Sequence, residues 1–99
     1  MNLDYKISFR NSAKKELKKL KDKQLIKLIG HEIYQVIAKK PYCGDRKKAG
    51  LKDIYTRPIY YQKVQYRIAY TILEEIITVE IIHIGSRENF YKELSRRIP

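Results

Sequence analysis

The chain has 99 residues, with 22 Lys and Arg against 11 Asp and Glu, a formal net charge of +11 and a pI near 9.8. That length predicts one domain over residues 1–99 with a single modest core. The charge calls for a polyanionic partner: nucleic acid, an anionic membrane surface or an acidic protein. A lone cysteine, Cys43, excludes an internal disulfide. The start Met1-Asn2-Leu3-Asp4-Tyr5 is no signal peptide, and no apolar run reaches membrane-spanning length, so a soluble, cytoplasmic protein is expected.

Asp4 to Phe9 alternates, with Tyr5, Ile7 and Phe9 on one side of a half-buried first strand. Asn11 or Ser12 then caps a helix whose apolar positions are Ala13, Leu17 and Leu20 and whose outer face is lysine. Asp22 is the cap of a second helix, Gln24 to Lys39, with a stripe of Leu25, Ile29, Ile33 and Val36 flanked by Ile26 and Ile37. The spacing predicts an antiparallel helix pair on one sheet face. Pro41 to Gly50 reads as the one long loop, and its Arg46, Lys47 and Lys48 suit a phosphate backbone.

Leu51 to Ile59 resumes as a strand, with Pro58 favouring an edge or a strand end. Val64 to Ile72 follows. Here Val64, Tyr66, Ile68, Tyr70 and Ile72 share a core face, and Arg67 falls on the other side. Ile76 to Ile84 is almost continuously apolar, as a central strand would be. Gly85 permits a turn and Ser86 is a good cap for a short last helix, whose stripe is Phe90, Leu94 and Ile98. Arg87 and Tyr91 are spaced by one helical turn. The order is β-α-α-β-β-β-α: an α+β domain with a four-stranded, largely antiparallel sheet, a helix pair on one face and a short C-terminal helix.

The face opposite the helix pair would expose Arg67, with Lys52, Arg57 and Arg87 near it and Tyr55, Tyr60 and Tyr91 among them. Arginines that hold phosphates, interleaved with rings that stack on bases, suit a single RNA strand. Metal-dependent phosphoryl transfer needs clustered carboxylates. Here Glu74 and Glu75 sit in a turn, Glu80 is isolated, and His31 and His83 lie in unrelated segments, so neither a metal nor a cofactor is expected. By strict alternation His83 falls with Ile77, Val79 and Ile81, as a core-edge histidine would. Glu88 is read as a partner of Lys92.

The strand Tyr66-Arg67-Ile68-Ala69-Tyr70 followed by Gly85-Ser86-Arg87-Glu88-Asn89-Phe90-Tyr91 resembles the RelE/ParE superfamily, the toxin halves of bacterial toxin–antitoxin pairs. The element order fits over nearly the whole chain. The resemblance implies a toxin that cleaves mRNA on the ribosome by metal-independent attack of the 2′-hydroxyl. In that reading Arg67 grips the scissile phosphate and Arg87 stabilises developing charge. Tyr91 stacks on a base or takes part in proton transfer, and Lys52 is a basic position at the start of the second strand. His83 is a candidate for proton transfer, as a histidine is in some relatives. Arg57 matches a basic position facing Arg67, although Pro58 threatens to turn it to the other face. The implied partners are a cognate antitoxin, mRNA on the ribosome, and operator DNA only through the antitoxin complex, with no membrane. The same resemblance also admits a ParE-type inhibitor of DNA gyrase, or a non-catalytic module that binds an antitoxin in autorepression.

Overall fold

The computed structural model describes residues 4–49 and 52–97. The elements are β1 (Lys6–Phe9), α1 (Asn11–Lys19), α2 (Lys23–His31), β2 (Asp45–Ala49), β3 (Lys52–Tyr61), β4 (Val64–Leu73), β5 (Thr78–Ser86) and α3 (Phe90–Ser95). They form an α+β domain around one five-stranded sheet of order β1-β5-β4-β3-β2. β1 runs parallel to β5, and the other neighbours are antiparallel. The extra strand is β2, which corrects the four-stranded expectation. Asp45-Arg46-Lys47-Lys48 has no apolar alternation because it is an outer edge, where charge guards unpaired backbone against further pairing. The segment read as a loop is therefore a short turn, Pro41–Cys43, followed by that strand. Gly50, Leu51 and Ile98 lie outside the described residues.

The core lies between the sheet and the α1–α2 pair. Leu25, Ile29, Ile33 and Ile37 of the second helical segment meet Ile68, Tyr70, Val79 and Ile81, all of them buried. Trimming any one of these to alanine would cost about 2–5 kcal/mol. Four residues of an α-helix overshoot a full turn by about 40°, so a strict four-residue repeat drifts off the sheet. The segment Glu32–Ile37 corrects the drift by widening to π-type bonding, seen where the Ala38 N–H donates to the Ile33 carbonyl at 2.8 Å. The buried position is thereby Ile37, while Val36 stays half-buried, which reverses the expectation from a 3.6-residue period.

Asp22 caps α2 as its sequence position predicts, accepting from Gln24 N–H at 3.0 Å and Leu25 N–H at 3.3 Å. The other two cap assignments fail. Asn11 is already helical behind Arg10, and Ser12 instead donates to the Ile82 carbonyl at 3.4 Å. Ser86 ends β5, and α3 starts only at Phe90, behind Asn89 at φ 61°.

Ser12 shows what α1 does for the sheet. β1 pairs only with Thr78 to Ile81, so the later part of β5 has no strand on that side. Side chains of α1 take its place: Ser12 on the Ile82 carbonyl and Glu16, which accepts from the Ile84 N–H at 3.0 Å.

On the opposite side of the sheet α3 packs Phe90 and Leu94 against Ile54, Ala69 and Ile82. That face is thus partly covered rather than open. The β3–β4 hairpin turns through Gln62 and Lys63 alone, at φ 47° and 65°. Two successive left-handed residues match the strand twist, although neither is the usual Asn or Gly. β3 runs two residues past its expected end at Ile59, through Tyr60 and Tyr61.

Candidate nucleic-acid interface

Alternation along β4 sets the site. Ile68 and Tyr70 point into the helix-pair core and Ala69 into the α3 cluster, so Arg67 lies on the α3 side. Its cross-strand neighbours are Pro58 and Gly85. Neither obstructs the guanidinium, since one is a ring held to the backbone and the other has no side chain. The guanidinium carbon sits 5.8 Å from the centre of the Tyr91 ring, a cation–π contact. Arg67 Nε is buried and has no hydrogen-bond partner among the described residues.

Arg87 follows β5 directly and is exposed. Its N–H donates to the Gln65 carbonyl at 2.7 Å, which ties the turn after β5 to the start of β4. Here Lys63, Gln65, Ser86, Arg87 and Glu88 line a groove of about 490 Å³. Arg87 precedes α3, so the helical stacking of Arg87 on Tyr91 does not form, and Tyr91 meets Arg67 instead.

The arginines divide by partner. Arg10 pairs with Glu80, Arg46 with Asp53, Arg57 with Glu32 and Arg97 with Glu16, at 3.4, 3.2, 2.8 and 2.6 Å. Among the described residues, Arg67, Arg87 and Arg96 have no carboxylate within 4.0 Å. Arg67 on the α3 face and Arg87 at the groove are thus both without an ion-pair partner among the described residues.

Arg57 does not join them. It pairs across the sheet with Ile68 and lies on the helix-pair side, where its Nε–H donates to Glu32 of the π turn. That hydrogen bond holds the guanidinium pKa above its usual value, against the opposing effect of burial. Pro58 takes the place opposite Arg67. Of the edge-strand cations, Lys47 is exposed and pairs with Ile54, which places it on the α3 side. It is roughly 13 Å along the strand from the level of Arg67. Arg46 is on the other face, and Lys48 is opposite Asp53 in register. The backbone of Lys52 opens β3 opposite Ala49. Tyr55 is buried in the helix-pair core, whereas Tyr60 is 73% exposed.

His83 is where strict alternation misleads. Ala69 pairs with His83 and Tyr70 with Ile81, so Ile82 is an extra residue in β5. This bulge turns His83 away from Val79 and Ile81 onto the α3 side, two pairs along from Arg67 and Gly85. The ring is fully buried, 4.7 Å from the Phe90 ring. Its Nδ1 faces Glu16 Oε2 at 2.7 Å, and its Nε2 has no partner among the described residues. No sequence period signals such a bulge.

The same place holds a cluster that the sequence concealed. Side-chain ligand atoms of Glu16, His83 and Glu93 lie within 4.8 Å of one another. A guanidinium already supplies its positive charge, since Arg97 donates to Glu16 and touches His83 Nδ1. A metal ion there would have to displace Arg97. Burial raises the Glu16 pKa, but hydrogen bonds from His83, the Ile84 N–H and Arg97 outweigh it and hold the carboxyl below its usual value.

A protein-family model for the ParE-like toxin of type II bacterial toxin–antitoxin systems matches residues 7–95. No curated protein matches the chain. Among solved structures, a double mutant of the Escherichia coli toxin RelE in the free state superposes with a TM-score of 0.77 at 21% identity, covering 97% of this chain and 95% of that one. A chain of the Mycobacterium tuberculosis RelBE2 toxin–antitoxin complex gives 0.70 at 20% identity, over 88% and 95%. A chain of the intact E. coli RelBE toxin–antitoxin complex gives 0.65 at 26% identity, over 82% and 94%. No helix among the described residues is long and apolar enough to cross a membrane.

Proposed function

The chain belongs to the ParE-like toxins of type II bacterial toxin–antitoxin systems, and within that family we propose that it is a RelE-like interferase that cleaves mRNA on the ribosome. The observation that carries this reading is Arg67. Its buried Nε lacks an acceptor, it has no carboxylate neighbour, and it is braced by an aromatic ring on the α3 face. An unmet buried donor costs about 1–3 kcal/mol, which a phosphate oxygen would recover. A planar two-point donor is also the natural grip for phosphate.

In this mechanism the substrate's 2′-oxygen loses its proton, bonds to the adjacent phosphorus and forms a 2′,3′-cyclic phosphate. The bond from phosphorus to the 5′-oxygen breaks, and that oxygen takes up a proton. Arg67 holds the phosphate, and Arg87, exposed at the groove, meets charge that grows in the transition state. Tyr91 stacks on a base beside the scissile bond. Lys47 on this face and Lys52 at the start of β3 are proposed as contacts to flanking backbone, whereas Arg46, paired with Asp53 on the far face, and Lys48, in register with that aspartate, are not. Arg57, bound to Glu32 on the far face, and His83, sealed under Phe90, are left out of direct contact with RNA.

An acidic antitoxin is the proposed partner. Chains similar in fold occur as toxin–antitoxin complexes in E. coli and M. tuberculosis, and a charge of +11 favours such a partner. The ParE-like description of the family favours one second reading, inhibition of DNA gyrase. Mapping mRNA 5′ ends after brief expression in growing bacteria, beside a gyrase supercoiling assay, separates the two. New ends within translated codons support cleavage. Blocked supercoiling with intact mRNA replaces that reading with the gyrase one.

A further inference from the structure

We propose that Glu16 is a positioning residue: it fixes the docking of α3, and through it the seat of Tyr91 over Arg67. The role assigned to Arg67 and Tyr91 rests on the reading above, but the docking itself does not. α3 has six residues. Isolated helices shorter than about 12–15 residues are marginal in water, so α3 persists only through what holds it. On its inner side Phe90 and Leu94 enter the cluster of Ile54, Ala69 and Ile82. Its far end is held by polar contacts that converge on one carboxylate.

Glu16 Oε1 accepts from the Ile84 N–H at 3.0 Å, which anchors the carboxylate to β5. Oε2 accepts from Arg97 at 2.6 Å and faces His83 Nδ1 at 2.7 Å. A second strap runs alongside, since Arg10 donates to the Arg97 carbonyl at 3.0 Å and pairs with Glu80 at 3.4 Å. One side chain of α1 therefore joins β5, the histidine platform under Phe90 and the residue that ends the α3 segment. Tyr91 follows Phe90 directly, and their rings meet edge to face at 5.2 Å. Whatever loosens α3 from His83 and Arg97 thus also moves the Tyr91 ring from Arg67. Lys15, Lys19, Glu93 and Arg97 line the cleft around Glu16 with Ser12 and Ile84, so Arg97 is one of several cations nearby but the one in contact.

The test is amide hydrogen exchange on the purified protein, read residue by residue, beside urea unfolding. Arg97→Gln should leave the urea midpoint close to wild type. Exchange at Glu93 to Ser95 should rise about tenfold or more, as loss of a charge-assisted bond implies, with β4 and β5 amides unchanged. Glu16→Gln should act in the same direction, and Arg97→Lys should restore most of the protection. The Tyr91 ring resonances should move with the α3 amides. Unchanged α3 exchange in both Gln variants overturns the proposal. So does a uniform rise across sheet and helix, which would make Glu16 an ordinary stabiliser of the fold. No RNA enters the experiment, so its outcome is independent of whether the protein cleaves mRNA.

Discussion

Arg67 and Tyr91 meet across the α3 face, the guanidinium carbon 5.8 Å from the ring centre, although one lies in β4 and the other in the last helix. The contact joins the cation proposed for phosphate to the ring proposed for a base, and it defines the first pair of expected outcomes. Arg67→Ala should abolish growth inhibition and slow cleavage about a hundredfold or more. Stability should not fall by more than about half a kcal/mol, because relief of the unmet donor offsets the lost contact with the Tyr91 ring and no core packing is removed. Arg67→Lys should recover little activity, since it keeps charge but not the planar grip. A stable Arg67→Ala protein with wild-type cleavage in a ribosome assay would refute the assignment.

Tyr91 separates stacking from proton transfer. Its ring braces Arg67, so Tyr91→Phe should cleave within a few fold of wild type. Tyr91→Ala should lose about 1–3 kcal/mol of stacking, roughly five- to 160-fold. A Phe variant as inactive as the Ala variant would assign the chemistry to the hydroxyl.

Arg57 is the contrasting case. Its bond to Glu32 is partly buried, so Arg57→Ala should cost about 1 kcal/mol by leaving that carboxylate without its partner. Cleavage per folded molecule should be unchanged. Reduced cleavage at full stability would return Arg57 to the site.

Acid and alkali should act through different residues. Glu16 and Glu74 bind protons less readily in the fold than the usual carboxyl pKa of 4.5. Their stabilising contribution is complete above that value and fades as pH falls through the lowered one. Hydrogen bonding to Glu74 raises Tyr5 and pushes Tyr42 up to about 12 from 10.0. Their contribution is complete below pH 10 and is lost as pH rises through the raised values. Urea midpoints measured against pH should show both limbs, with Glu16→Gln flattening the acid one and Tyr42→Phe the alkaline one.

Chelation should leave cleavage intact. The one group of His and acidic side chains brought together among the described residues is already neutralised by Arg97. Loss of activity in EDTA, with ribosomes kept whole and activity restored by one added divalent ion, would contradict the metal-free mechanism.

Much of this architecture is written in local periods. The alternation of Val64 to Ile72 gives β4 its faces and puts Arg67 opposite the helix pair, and Asp22 announces α2. What escaped the sequence were departures from period. One extra residue, Ile82, turns His83 to the other face, and one wide turn exchanges Val36 for Ile37 in the core. β2 was hidden because an edge strand need not look apolar. The Glu16–Arg97 contact joins residues from opposite ends of the chain, and no local pattern encodes it. Arg57 was doubtful for a sound reason, since Pro58 occupies the place that faces Arg67.

The parallel pairing of β1 with β5 bears on how the chain reaches this state. Lys6 meets Thr78, so the first strand finds its neighbour only after roughly seventy residues have been made. Until then α1 and α2 have no completed sheet on which to bury their apolar stripes. The β3–β4–β5 meander is built from near neighbours and closes far shorter loops than the pairing of β1 with β5 does. Arg87, Tyr91 and Arg97 follow β5 in the chain, so they too are placed only once the sheet exists. A nascent chain stalled before β5 would lack Arg87, Tyr91 and Arg97, and with them everything that seats α3 over Arg67.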